Sequence, residues 1–505
     1  MLLPLTLATA SLLLSSSTSA LPAQQQPFTV EIPSTSNLTT LETTHGQINP
    51  LKHLSAISPF FIPNEEPTPL PKGCHLTRVS LLIRHSSILG NDDEFEQTMK
   101  PFIDKIAGMD KNKIPEEGEW SFLRDWESPI VEENLEQLSK RGKKDAKFLG
   151  KYIRKQYDEL FPSKKEGDVK QSKHKKKKGS SNPPYKVWTA SSGRDIETAK
   201  AYILGSFPSH QSGDDGEGDG EVVQLVKVPN KARDWDRSLT PHKACSTFEK
   251  LSSLEPANQW LAVYAPKVKE RLSGLMPEVA KELNDQDILA MQMLCGYETI
   301  AQGNSPFCHL FTDEEWLDVE YYFDVRFHYM MGYGSSLAPY LGMPWAKTAK
   351  HLLAGKDTDG NGHPKAFKGL PGPKLPPNAT HTQLLHPSFT HRESPAFVAV
   401  FLNLFNSTSH AHPASEAPAL DHRVPDRAWR TSHVVSFLGH IALERFHHKH
   451  NGDYVRAVVN GRHEIMSGCE DGLDGSCKWK TFHDWITERA ERWGDWESVC
   501  DKKEE

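Results

Sequence analysis

Three times along this chain a short apolar run ends on ionisable residues and passes directly into a helix start. The first run, Arg78-Val79-Ser80-Leu81-Leu82-Ile83, closes on Arg84-His85-Ser86. The second, Tyr185-Lys186-Val187-Trp188-Thr189-Ala190, leads through Ser191-Ser192-Gly193-Arg194 into a segment whose Ile196, Ala199 and Ile203 recur at helical spacing. The third, residues 383–390, leads through His391-Arg392-Glu393-Ser394-Pro395 into Ala396–Leu402. Apolar runs rich in β-branched residues and Leu suit strands buried on both faces of a parallel sheet. Open α/β sheets bind ligands just beyond the carboxyl ends of such strands. The pattern therefore predicts an α/β fold with Arg84, His85, Arg194, His391 and Glu393 at strand ends. Ser192 and Asp195 have the spacing of a capping box, and Glu393 or Ser394 can cap the third helix, with Pro395 in its first turn. Arg194 then sits at a helix N-terminus, where free N–H groups favour an anion.

Converging cations beside an imidazole suit phosphoryl transfer, which needs the charge clamped and an in-line nucleophile. A neighbouring carboxylic acid can protonate the leaving oxygen if its pKa suits the working pH.

The chain has 505 residues, too many for one simple core, so more than one lobe is expected. Residues 245–355 read mostly helical, with Trp316, Val319, Phe323, Phe327 and Met330 as a core stripe. A net charge of −7 argues against a general nucleic-acid binder. Residues 1–20 read as a secretion signal cut after Ala20, and no later run reaches membrane-spanning length. A soluble, secreted protein without a membrane partner is the expectation, with cell-wall association as a variant of it. Asn37, Asn378 and Asn406 head glycosylation sequons. Of seven cysteines, Cys295/Cys308 and Cys469/Cys477 are close enough to form local disulfides; one of the seven must be left over. None has zinc-site spacing. Residues 21–65 read as an extended arm, and the Lys-rich 163–182 and acidic 211–221 as solvated loops. Asp357-Thr358-Asp359-Gly360 opens like a calcium loop, but Lys368 stands at its twelfth position, so it reads as a turn.

Several segments together resemble the histidine acid phosphatases, and within them the fungal phytase-like enzymes, over about residues 60–505. They are Gly73-Cys74-His75 leading to Arg84-His85, the run 189–195 (TASSGRD), Cys295-Gly296-Tyr297-Glu298-Thr299-Ile300 with Ser305-Pro306-Phe307-Cys308 through Thr312, Gly334-Ser335-Ser336-Leu337, and 455–460 followed by Gly468-Cys469 and Gly475-Ser476-Cys477. The resemblance implies a phosphoglycerate-mutase-like α/β fold: a central, mostly parallel sheet flanked by helices, formed by 66–240 and 357–505, with a mainly helical lobe at 241–356. It implies His85 as nucleophile, Arg84, Arg194 and His391 on the phosphate oxygens, and no metal or cofactor. It also implies the pairs Cys245–Cys500, Cys295–Cys308 and Cys469–Cys477. The partner of Cys74 would lie near His448 and is missing, which makes Cys74 the odd thiol.

The chain departs from the family's R-H-G-x-R-x-P motif. Ser86 replaces the glycine and Ile88 the third arginine, and Arg392 stands where the family has its acidic proton donor. The His-x-Glu order is similar to that of multiple inositol polyphosphate phosphatases and makes Glu393 the expected donor. The expectation is a secreted phosphomonoesterase working through phosphohistidine on small phosphorylated substrates, inositol phosphates among them. The alternative is a secreted protein that binds such a ligand without efficient turnover.

Overall fold

The computed structural model describes residues 48–61, 67–161, 185–207, 223–230, 237–355 and 383–501. The signal segment, Asn37, Asn378, the 163–182 and 211–221 loops and the 357–362 turn lie outside them. Asn406 is half-buried, and its Nδ2 donates to Asn403 Oδ1 at 2.9 Å.

Among the described residues, eight strands form one sheet: β1 Cys74–Arg84, β2 Tyr185–Ala190, β3 Val223–Val228, β4 Leu385–Thr390, β5 His440–His448, β6 Gly452–Val459, β7 Arg462–Glu464 and β8 Cys477–Lys478. The order is β3-β2-β4-β1-β5-β6-β7, with β8 also on β6. The three runs singled out above become the adjacent parallel neighbours β2, β4 and β1, with Arg84 opposite Thr390 and Trp188 opposite Ser388. β2 and β4 are buried along their whole length and β1 from Val79 to Arg84, as strands of a sheet covered on both faces, which is why they read as continuous apolar runs. From β5 onward the sheet is antiparallel. The β6–β7 hairpin closes on Asn460-Gly461, both at positive φ (48° and 86°), the two-residue turn that fits the strand twist.

The Lys140–Gln156 and Gly193–Ser206 helices cross at close range beside β2. A Cβ on Gly205 would lie 2.0 Å from the Lys147 carbonyl oxygen and one on Gly150 2.2 Å from that of Tyr202, so glycine alone permits the approach. Ala146, Leu149, Ile153, Ala199 and Tyr202 from this pair join Val79, Leu81, Val187, Leu385 and Phe389 of the sheet in one core. The helical lobe holds Leu254–Leu275, Asp285–Gln302, Asp313–Met331 and Ala338–Ala354. Its Trp316, Val319, Phe323, Phe327 and Met330 are all buried. Capping boxes at Asn284/Asp287 and Thr312/Glu315 start two of its helices.

Where residues 48–61 are described, the extended arm gives way to two short 3-10 turns. Leu54, Ala56 and Ile57 are fully buried, and Ser55 bonds Thr431 and Ser432. A few apolar residues inside a polar stretch were enough to dock it. Disulfides join Cys245 to Cys500, Cys295 to Cys308 and Cys469 to Cys477. Cys74 is free and faces His448 across the β1–β5 ladder.

Candidate active site

Because β2, β4 and β1 are parallel neighbours, their carboxyl ends emerge side by side. His85 follows β1 and stays tied to β4, its N–H donating to Thr390 O at 2.8 Å. The turn beyond it is fastened to the segment before the Lys140 helix. Ser139 donates to Ser87 O from both N and Oγ (2.9 Å each), and Leu89 N donates to Gln137 O at 3.0 Å. Ile88 is locked there, 2% exposed and bridged to Leu138. The result is a cavity of about 510 Å³, counted out to the solvent at its mouth. It is lined by Arg84, His85, Ile88, Asn91, Asp92, Glu136, Arg194, Lys243, Lys250, His391, Arg392 and Glu393.

The Nδ1 of His85 lies 2.9 Å from the Ser86 carbonyl oxygen. A carbonyl only accepts, so Nδ1 carries the proton and the Nε2 lone pair is free. Burial pushes the His85 pKa well below its ordinary value, and Arg84, Arg194 and His391 push it further. Arg84 is held by two backbone carbonyls, Ala56 O and Val435 O at 2.6 Å each, over the Phe437 ring at 4.1 Å. Its Nε has no partner among the described residues. Burial first, and then Arg392, lower its pKa to about 9, so the guanidinium stays charged through neutral pH.

His391 Nε2 meets Ser192 Oγ at 3.0 Å and Asp195 Oδ2 at 2.9 Å. That overturns the capping box. Ser192 is the N-cap by position, but its side chain makes no cap bond. Ser192 Oγ bonds His391 and accepts from Asn230 Nδ2 at 2.8 Å, and Asp195 faces His391 at ion-pair distance, from 199 and 196 residues away in sequence, a partner that local spacing could not show.

Arg194 reaches the cavity but is ion-paired with Glu136. Arg392 also lines it, over Phe327, paired with the buried carboxylate of Glu94. Glu94 in turn accepts from Tyr297 Oη at 2.6 Å. Of the other acids in the turn after β1, Asp93 is held by Lys250 and Asp92 stays at the rim. Neither Glu393 nor Ser394 caps the third helix: Arg392 is its N-cap and makes no side-chain cap bond, Glu393 is its first residue, and Ser394 Oγ donates to Leu239 O at 2.6 Å. Glu393 Oε2 lies 3.6 Å from His242 Nε2 and Oε1 3.6 Å from Arg392 Nε. Burial alone would raise its pKa, but His242, Arg392, Lys250 and His391 outweigh burial and hold it well below the carboxylate range. Burial lowers His242 to about 3, so the empty pair is a neutral imidazole beside a carboxylate.

All five residues at the strand ends line this cavity. Glu136, Lys243, Lys250 and His242 carry no motif and escape a reading of spacing. His242, His391 and Glu393 bring three ligand-type atoms within 4.8 Å of one another. Five Lys and Arg side chains share the cavity with three carboxylates, so its charge suits an anion rather than a cation.

The sequence pattern of the histidine phosphatase superfamily (branch 2) matches residues 75–460. Phytase A of Aspergillus terreus is 26% identical over 459 residues, covering 87% of this chain and 88% of that protein. A thiamine-repressible acid phosphatase of Schizosaccharomyces pombe is 26% identical over 439 residues, covering 84% of each. Among solved structures, the phytase from D. castellii superposes with a TM-score of 0.69 at 19% identity, over 90% of this chain and 88% of that one. The Bifidobacterium longum multiple inositol polyphosphate phosphatase, bound to inositol hexasulfate, gives a TM-score of 0.56 at 12% identity, over 85% and 96%.

Proposed function

Because this chain belongs to branch 2 of the histidine phosphatase superfamily, we propose that its cavity hydrolyses phosphomonoesters through a phosphohistidine on His85. The observation that carries this reading is the Nδ1–H bond to Ser86 O, which leaves a neutral, buried Nε2 aimed into a ring of cations.

In the first half-reaction Nε2 attacks phosphorus and the ester oxygen leaves with the bonding pair. The Ser86 carbonyl steadies the positive charge that forms on the ring. Arg84, Arg194 and His391 take the non-bridging oxygens, whose charge is largest in the transition state. The proton of the substrate monoanion passes through Glu393 to the leaving oxygen. In the second, water attacks phosphohistidine, Glu393 takes the water proton, and His85 is released neutral. Relatives named as phytases and acid phosphatases argue against a binder without turnover. Quenching the enzyme into alkali during turnover of a labelled ester tests the intermediate, since phosphohistidine survives base. Steady turnover with no label on histidine sinks the reading.

We infer inositol polyphosphates as the substrate class. Lys243 and Lys250 sit near His242, on the Glu393 side where the leaving group departs, and so can meet its further phosphates. Lys243 has no ion pair among the described residues. Lys243→Ala should raise KM for an inositol polyphosphate about tenfold, the low end of a charge-assisted hydrogen bond. KM for an aryl monophosphate should move little. Equal effects on the two substrates refute the assignment. Secretion is inferred with this function. It accords with residues 1–20 and with three disulfides, and no helix among the described residues is long and apolar enough to cross a membrane.

A further inference from the structure

Glu136 stands in the cavity in an unusual way. Its φ is +63°, in the left-handed region that glycine enters freely and a branched backbone does not. Its N–H donates to Gly90 O at 2.8 Å, which fixes it beside the turn that follows His85. The carboxylate is fully engaged. Oε1 accepts from Asn91 Nδ2 at 2.7 Å and from Asp92 N at 3.3 Å, and Oε2 pairs with Arg194 Nη1. The two side chains are 24% and 15% exposed, so water screens the pair little. The Arg194 Nε has no other partner among the described residues. The guanidinium that faces the phosphate position is thus already carrying an anion of its own.

We propose that Glu136 is a built-in competitor for Arg194. Its carboxylate holds the guanidinium at Nη1 in the empty cavity, and a phosphoryl oxygen binding at the free Nε must share the cation with it, so the site takes anions more tightly in acid than at neutral pH. The proposal rests on Arg194 being a phosphate ligand, as argued above. A phosphoryl group arriving at Arg194 either meets the charged carboxylate on the same guanidinium, two anions close together, or finds it protonated. Only the second costs little. The charged groups facing Glu136 are Arg194 from the Gly193–Ser206 helix and Asp92 from the turn after β1, with Lys250 and the neutral, titratable His85 across the same cavity. Burial raises the Glu136 pKa and Asp92 raises it further, against Arg194, with a net upward shift. The group therefore takes its proton at a higher pH than an ordinary carboxyl, and a neutral acid holds a guanidinium only weakly.

The test is calorimetric binding of inorganic sulfate, whose charge is constant over the range, to the wild-type protein and to Glu136→Gln. At about pH 7 the Gln variant should bind sulfate about tenfold more tightly, the weight of one charge-assisted contact regained. At about pH 4, already below the ordinary Glu value that Glu136 exceeds, the two should agree within about twofold. Glu136→Gly, which also relieves the backbone, should match the Gln variant without a lower melting temperature. If removing the charge leaves sulfate affinity unchanged or weakens it at neutral pH, Glu136 is a prop that positions Arg194 and the proposal is overturned. Turnover of an aryl phosphate by wild type against His85→Ala judges the phosphatase reading separately, since neither protein has a changed Glu136.

Discussion

A His85→Ala variant is expected to lose turnover outright, with kcat on an aryl phosphate falling on the order of 10⁵-fold or more, as when a covalent nucleophile is deleted. No other group can take over. The His391 ring centroid is 6.2 Å away, and its Nε2 is committed to Asp195 and Ser192. Arg84 and Arg194 are held by contacts that do not involve His85, so the variant should still bind sulfate with near wild-type affinity. That pairing of dead turnover with intact binding separates loss of a nucleophile from loss of the fold. Residual activity within about tenfold of wild type would show that the bond is broken elsewhere.

Glu393→Gln should lower kcat by about 10²–10⁴-fold, the usual worth of a positioned acid. The loss should be larger for an alkyl phosphate such as an inositol or glycerol ester than for an aryl phosphate, because an alkoxide leaves badly without a proton. The pH dependence follows from the sign of the shift. Glu393 is held below its ordinary pKa in the empty cavity, so there it is a carboxylate over the whole working range. A bound phosphoryl group adds negative charge beside it, which raises that pKa, and the substrate monoanion can deliver the proton. kcat/KM should therefore fall as pH rises through the second pKa of the ester, near 6. The acid side stays open because His85 is also shifted down and remains neutral well below its ordinary pKa. In Glu393→Gln the alkaline fall should flatten. Equal losses on alkyl and aryl esters, with an unchanged profile, would remove Glu393 from the donor role.

The part of this site legible in the sequence is the part fixed by strand ends. Arg84 and His85, Arg194, and His391 to Glu393 each follow an apolar run within a few residues, and parallel pairing of β1, β4 and β2 brings the three together. What stayed hidden depends on partners far along the chain. Ser192 and Asp195 have the spacing of a cap, yet their side chains answer to His391. The acidic Asp93 and Glu94 after β1 are paired by Lys250 and Arg392, which stand 157 and 298 residues further along the chain. Nothing in Glu136-Gln137-Leu138 announces a left-handed residue, because the sequence there offers no glycine or asparagine.

The strand order has a further meaning for the integrity of the molecule. β1, β2 and β3 come from before residue 229 and β4 to β8 from after 384, yet β4 lies between β2 and β1. Arg84, His85 and Arg194 belong to the earlier stretch, His391 and Glu393 to the later, and Cys245, on the same side of residues 356–382 as the earlier stretch, is bonded covalently to Cys500. A chain severed once between residues 355 and 383 therefore remains a single molecule, its pieces interleaved in one sheet and stapled by sulfur. The reacting groups are the joint property of two segments, which strand pairing and a disulfide hold together alongside the peptide chain.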